Sequence, residues 1–217
     1  MSEAPILIDA VKAGDVDQVK TMLQSQPNLL HEAKVMSGES LLLLSVYHHK
    51  PDITQILLAK NPPLTIHEAA ATGNLDKVTQ LVQENQSAAN VFSEDGFTPL
   101  GLACFFNYPD VAQYLIQQGA EVNAASQNAL RVSPLHSAVA AHNAELAAYL
   151  LDKGADIDAT QAGGYTPLHA ACFQGDEDLI KLLLERMADI NATTDDGQAP
   201  MELAIKAGHE AGKWFSL

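Results

Sequence analysis

Gly96-Phe97-Thr98-Pro99-Leu100-Gly101-Leu102-Ala103 returns as Arg131-Val132-Ser133-Pro134-Leu135-His136-Ser137-Ala138 and again as Gly164-Tyr165-Thr166-Pro167-Leu168-His169-Ala170-Ala171. A degenerate copy follows at Gly197-Gln198-Ala199-Pro200-Met201-Glu202-Leu203-Ala204. The hydroxyl slot falls at 98, 133 and 166, with Ala199 replacing it in the fourth copy, so the spacings are 35, 33 and 33. A fixed period of this size marks a repeat architecture, in which thin units are stable only when stacked.

An apolar run follows each motif: Val111, Tyr114, Leu115 and Ile116; then Leu146, Tyr149, Leu150 and Leu151; then Leu179, Leu182, Leu183 and Leu184. Spacings of three and four place each set on one helix face. The runs close on Gly119-Ala120-Glu121, Gly154-Ala155-Asp156 and Met187-Ala188-Asp189. Glycine suits a left-handed helix C-cap, so Met187 predicts a strained cap or a shifted helix end. Prolines 99, 134, 167 and 200 fall in the first helical turn, where no amide donor is missed, and the preceding Thr or Ser can cap the helix.

This pattern resembles the ankyrin repeat: a turn, a first helix opened by Thr-Pro-Leu-His, a second helix and a β-hairpin-like finger. The resemblance implies an all-α solenoid of helix-turn-helix units. Weaker copies extend it backwards through Leu7 to Leu23, Ser40 to Leu58 and Thr65 to Val82, giving seven units in one domain. Their expected bounds are roughly 1–34, 35–60, 61–92, 93–127, 128–160, 161–193 and 194–217. Slots 40 and 64 are only 24 residues apart, so Asn61-Pro62-Pro63 should replace a whole finger with a tight corner. Gln24 to Leu30 and Gln83 to Ser87 lack the Gly-Ala-Asp cap and predict irregular exits.

The resemblance also implies where a partner sits: on a concave face made of finger tips and exposed first-helix residues. The residues before the mid-repeat glycine are Tyr47-His48, Ala71-Thr72, Phe105-Phe106, Ala140-Ala141, Phe173-Gln174 and Lys206-Ala207, and Phe97 and Tyr165 precede the hydroxyl slot. Six of twelve aromatic residues (Tyr47, Phe97, Phe105, Phe106, Tyr165 and Phe173) therefore occupy slots that should face a partner. Aromatic side chains anchor interfaces. The competing expectation is that Phe106 turns into the core and that Phe97 and Tyr165 pack on neighbouring fingers. Ala140-Ala141 should form a saddle between aromatic ridges. Glu39, Glu94, Asp95, Asp195 and Asp196 would rim this strip, with Arg131 the exception, favouring a partner with a basic or apolar contact surface.

Twelve Lys plus Arg against 27 Asp plus Glu give a formal charge of −15, which disfavours nucleic acid and anionic membranes. No apolar stretch approaches the ~20 residues of a membrane span, and Met1 to Pro5 lacks a secretory n-region. Two cysteines make no disulfide framework; Cys104 and Cys172, two units apart, should be inert core thiols. A cytoplasmic monomer is expected. No phosphate loop, metalloprotease motif or nucleophile elbow is found, so no catalytic residue, metal or cofactor is assigned. His67, His136 and His169 occupy the slot where the resemblance implies imidazole bonds to backbone, and His48-His49 should lie on the surface. Trp214 and Phe215 should cover the end of the stack.

Overall fold

The computed structural model describes residues 3–33, 35 and 38–214. Among these the regular structure is helical, with fourteen α-helices and no β-strand. Six helix pairs succeed one another: α1 (Ala4–Ala13) with α2 (Val16–Ser25), α4 (Leu41–Tyr47) with α5 (Pro51–Leu58), α6 (Ile66–Ala71) with α7 (Leu75–Glu84), α8 (Pro99–Phe105) with α9 (Pro109–Gln117), α10 (Pro134–Ala140) with α11 (Ala144–Asp152), and α12 (Pro167–Gln174) with α13 (Glu177–Glu185). A single helix, α14 (Pro200–Lys206), ends the row. The first helices of successive pairs touch in an unbroken line from α1 through α4, α6, α8, α10 and α12 to α14. This is the expected solenoid. The two irregular exits take the form of a one-turn helix, α3 (Leu29–Glu32), and a 3-10 turn over Gln86–Asn90.

Sequence dictates where each first helix starts. The hydroxyls of Ser40, Thr98, Ser133 and Thr166 accept the N–H three residues on, and prolines 99, 134 and 167 follow at the first turn. Each such cap satisfies an otherwise orphaned donor and stabilises a helix by about 1 kcal/mol. In α6 the cap moves to Thr65, whose amide donates to the Glu68 carboxylate at 2.7 Å. Ala199 has no hydroxyl; its amide donates to the Glu202 carboxylate at 3.0 Å, leaving the N3 donor of α14 without a hydroxyl acceptor.

Polar rungs tie the layers together. Nε2 of His136 donates to the Tyr165 carbonyl, and Nε2 of His169 to that of Gln198, each at 3.0 Å. His67 reaches the Val91 carbonyl at the same distance. On the outer side, the Asn123 amide donates to the Gly154 carbonyl while its oxygen accepts from the Asp156 N–H. Buried polar groups thus find partners in the next layer, so a unit without its neighbour loses hydrogen bonds as well as apolar cover.

The apolar interior falls into two large clusters and a small one of Leu43, Ala71 and Leu102. One of the large clusters gathers Leu7, Val19, Leu41, Ile53 and Leu57; the other runs from Ile66 to Ala204. Cys104 and Cys172 lie free and buried in the second. Met187 keeps the left-handed C-cap, at φ 67°, and α13 ends at the same register as α9 and α11. Of the two outcomes expected there, the strained cap is the one found. Trp214 packs beside Ile180 and Leu184 of α13, leaving the outer face of α14 bare at Met201 and Ile205. Phe215 lies outside the described residues.

Candidate groove between fingers and first helices

Each finger is a loop closed by its own backbone. Ser93 donates to Phe97 O, Gln161 to Tyr165 O and Thr194 to Gln198 O, spanning four residues each. Successive fingers then join tip to tip. The N–H of Gln127 donates to the Gly96 carbonyl at 2.8 Å, Ala162 to Leu130 and Asp195 to Gly163, both at 2.9 Å. One bond per layer builds a continuous wall from finger 4 (93–97) through finger 5 (126–132) and finger 6 (161–165) to finger 7 (194–198).

Closing this loop needs a left-handed residue two positions before the cap. Gly38, Gly96, Gly164 and Gly197 supply it, and Arg131 adopts it at φ 54°. In the third unit that position is Pro63, whose ring fixes φ near −65° and forbids the turn. No finger forms there, and the chain passes from α5 to α6 through the corner expected at Asn61-Pro62-Pro63. The neighbours close over the gap, since a Cβ at Gly38 would overlap the Glu94 side chain. Beneath them remains a hollow of about 350 Å³ lined by Leu42, Pro62, Pro63, Glu68, Glu94 and Asp95. Both Glu68 oxygens are occupied, by the Ser40 hydroxyl and by Thr65, which marks this carboxylate as structural.

The aromatic residues divide into two groups. Tyr47, Phe97 and Phe106 are half-buried and packed on one another with Leu43, Ala71 and Leu102. Ring centroids lie 5.6 Å apart for Tyr47 and Phe106 and 6.5 Å for Tyr47 and Phe97. The Tyr47 hydroxyl donates to the Asp95 carboxylate at 2.6 Å; burial first, then this bond, raises its pKa well above the ordinary tyrosine value. With Leu43, Ala71 and Leu102 these three rings form the small third cluster. Tyr165 is half-buried with its ring edge-on to His169. Phe105 and Phe173 remain as exposed rings, at 43% and 61%, with exposed Ala140 between them in the row. Phe105 is braced edge-on by Phe106 at 5.0 Å.

Of the other residues singled out, His48 and Glu94 are exposed, while Gln174 and Asp95 are half-buried. His49 is also exposed, in a left-handed conformation at φ 51°. Leu130, at 56% exposure, was missed by slot counting. Its signal was present in the 35-residue spacing between Thr98 and Ser133, which places two extra residues in finger 5. Burial lowers the pKa of His67, His136 and His169, opposed by their backbone bonds, so the imidazoles are held neutral. Burial raises the Cys104 thiol pKa and pushes that of Cys172 up to about 12. Among the described residues no group of three His, Cys, Asp or Glu side chains could hold a metal ion, and no helix is long and apolar enough to cross a membrane.

Stacked helix pairs with a laddered finger wall define a solenoid repeat protein, a class built to present an extended binding surface. The chain belongs to the ankyrin repeat family: the profile described as ankyrin repeats (3 copies) matches residues 66–161 and 135–215. It is 43% identical over 65 residues to protein phosphatase 1 regulatory subunit 27 of Mus musculus, covering 29% of this chain and 40% of that protein. Over 101 residues it is 37% identical to the RelA-associated inhibitor of Mus musculus, covering 46% of this chain and 12% of that protein. An ankyrin repeat protein of Fowlpox virus, FPV014, is 28% identical over 170 residues, or 72% of this chain and 37% of its own length. The chain thus spans well under half the length of these relatives.

Proposed function

We propose that this protein is a cytoplasmic adaptor, scaffold or regulator that binds a partner protein in the groove between the finger wall and the first-helix row. The observation that carries the reading is the exposure of Phe105 and Phe173, in equivalent first-helix slots on either side of exposed Ala140. Large exposed rings cost free energy in water, and burying them against a partner recovers it. Relatives named as a phosphatase regulatory subunit and an inhibitor are in keeping with such a role. The acidic balance favours a partner with basic or apolar contacts over nucleic acid or membrane. Phe97, Phe106, Tyr165 and Tyr47 support the groove from behind, and Glu94, Asp95, His48 and Gln174 edge it. The division into seven units within one domain belongs to the same reading.

Quantitative affinity capture from native cells, with wild type and a Phe105→Ala/Phe173→Ala double variant as baits, tests this. Partners held by the wild type and lost by a normally folded variant support the groove; an unchanged set removes it.

Self-association is a second reading, favoured by the bare Met201 and Ile205 face of α14. Light scattering decides it. A mass near 23.2 kDa at every concentration excludes it.

A further inference from the structure

Finger 5 departs from its neighbours in three ways. It closes over six residues, Ser126 to Val132, where fingers 4, 6 and 7 close over four. The added length pushes Leu130 into solvent. Its left-handed position holds Arg131 where those fingers hold Gly96, Gly164 and Gly197, so an exposed side chain is kept at a site whose backbone favours glycine. The loop is nevertheless fixed from both sides, because the Asn128 amide donates to the Asp95 carbonyl and the Leu130 carbonyl accepts from Ala162.

The Arg131 guanidinium meets no carboxylate among the described residues. Along the wall it stands between Glu94 and Asp95 of finger 4 and Asp195 and Asp196 of finger 7, with finger 6 uncharged. Lys206, on the helix side, acts on Asp196 and offsets part of the charge at finger 7. The sequence of charges along the fingers is negative, positive, negative. In the same unit as Arg131 the first helix ends at exposed Ala140, between the slots of Phe105 and Phe173 in the row. Finger residues share this face with the first-helix slots, as the bond between Tyr47 and Asp95 demonstrates in the neighbouring layers.

We propose that finger 5 is the specificity-determining contact of the groove, with Arg131 taking a carboxylate from a partner segment whose flanks on both sides are basic and whose apolar side chain enters between Phe105 and Phe173. This rests on the groove being the binding surface. Layers about 10 Å apart and a rise of about 3.3 Å per residue put the basic positions of an extended segment about three residues to one side of the acid and about six to the other. Guanidinium binds carboxylate through two parallel N–H bonds, so lysine replaces it imperfectly. Strain held at an exposed arginine is the trace expected when a side chain is retained for contact.

A displayed library of random 16-residue peptides, panned in parallel on wild type, Arg131→Gly, Arg131→Lys and Phe105→Ala/Phe173→Ala, tests the assignment. Arg131→Gly places at finger 5 the residue that fingers 4, 6 and 7 already carry, so loss of fold does not confuse the result. Wild type is expected to enrich one Asp or Glu between basic residues, and those peptides should bind Arg131→Gly about tenfold or more weakly, with Arg131→Lys between. Equal acidic enrichment on Arg131→Gly, or none on wild type, overturns the role of finger 5. Selected peptides that bind the double phenylalanine variant as tightly as wild type overturn the groove itself.

Discussion

His169 and Thr166 form a closed pair: the Thr166 hydroxyl and amide both donate to Nδ1, at 2.8 and 3.1 Å, while Nε2 donates across the layer to Gln198. This arrangement requires a neutral ring. Because burial lowers the folded-state pKa of His67, His136 and His169 below the ordinary 6.5, the unfolded chain binds more protons than the folded one as pH falls through 6.5. Stability contributed by these rings is complete above that value and is lost below it, at a slope of at most about 1.4 kcal/mol per pH unit for each. Urea midpoints measured between pH 7.5 and pH 5 should fall on acidification. In His169→Gln, which keeps a donor without a titrating ring, the fall should be shallower.

Met187→Gly should stabilise the protein by about 1 kcal/mol. The side chain is 83% exposed and its backbone left-handed, so glycine removes strain and little packing. Gly154→Met is the mirror test. Nothing lies within 4 Å of a Cβ there, so its expected loss of about 1 to 2 kcal/mol is conformational. Equilibrium denaturation measures both.

Neither thiol should react with Ellman's reagent in the folded protein, because both are buried and burial disfavours the thiolate. Both should react in denaturant. At denaturant concentrations below the main transition Cys172 should be labelled first, since it lies nearer the bare end of the stack and terminal units open most readily.

The two groups of aromatic residues should separate under mutation. Phe173→Ala is expected to change stability by less than about 0.5 kcal/mol, as an exposed substitution does. Phe106→Ala removes a ring packed on Tyr47 and Phe105 and should cost about 2 to 3 kcal/mol. Tyr47→Phe should lose about 1.5 kcal/mol with the bond to Asp95. Thermal melts distinguish these cases.

The architecture was legible because its causes are local. Thr98, Ser133 and Thr166 cap the helices they precede, and the 24-residue gap before Thr65 announced the missing finger. Which rings face solvent was not legible, since it depends on what each finds across the gap. Tyr47 and Phe105 occupy equivalent slots, yet one meets Asp95 and Phe97 while the other projects outward. Slot position gives direction from the helix axis; it does not say whether a neighbour has moved in to cover it. Trp214 covers part of the end: a 3-10 turn over Ala211–Lys213 follows α14, and Trp214 packs on the core beside α13 while Met201 and Ile205 stay exposed.

The interior changes hands between Leu57 and Ile66, where Leu64 packs against both large clusters. Tension applied through the two termini is transmitted in series, so the joint with the thinnest cover gives way before the rest. A force-extension trace should therefore show an early rip releasing the segment up to about the proline corner, followed by the longer C-terminal block; the omitted finger makes that corner the molecule's mechanical fuse.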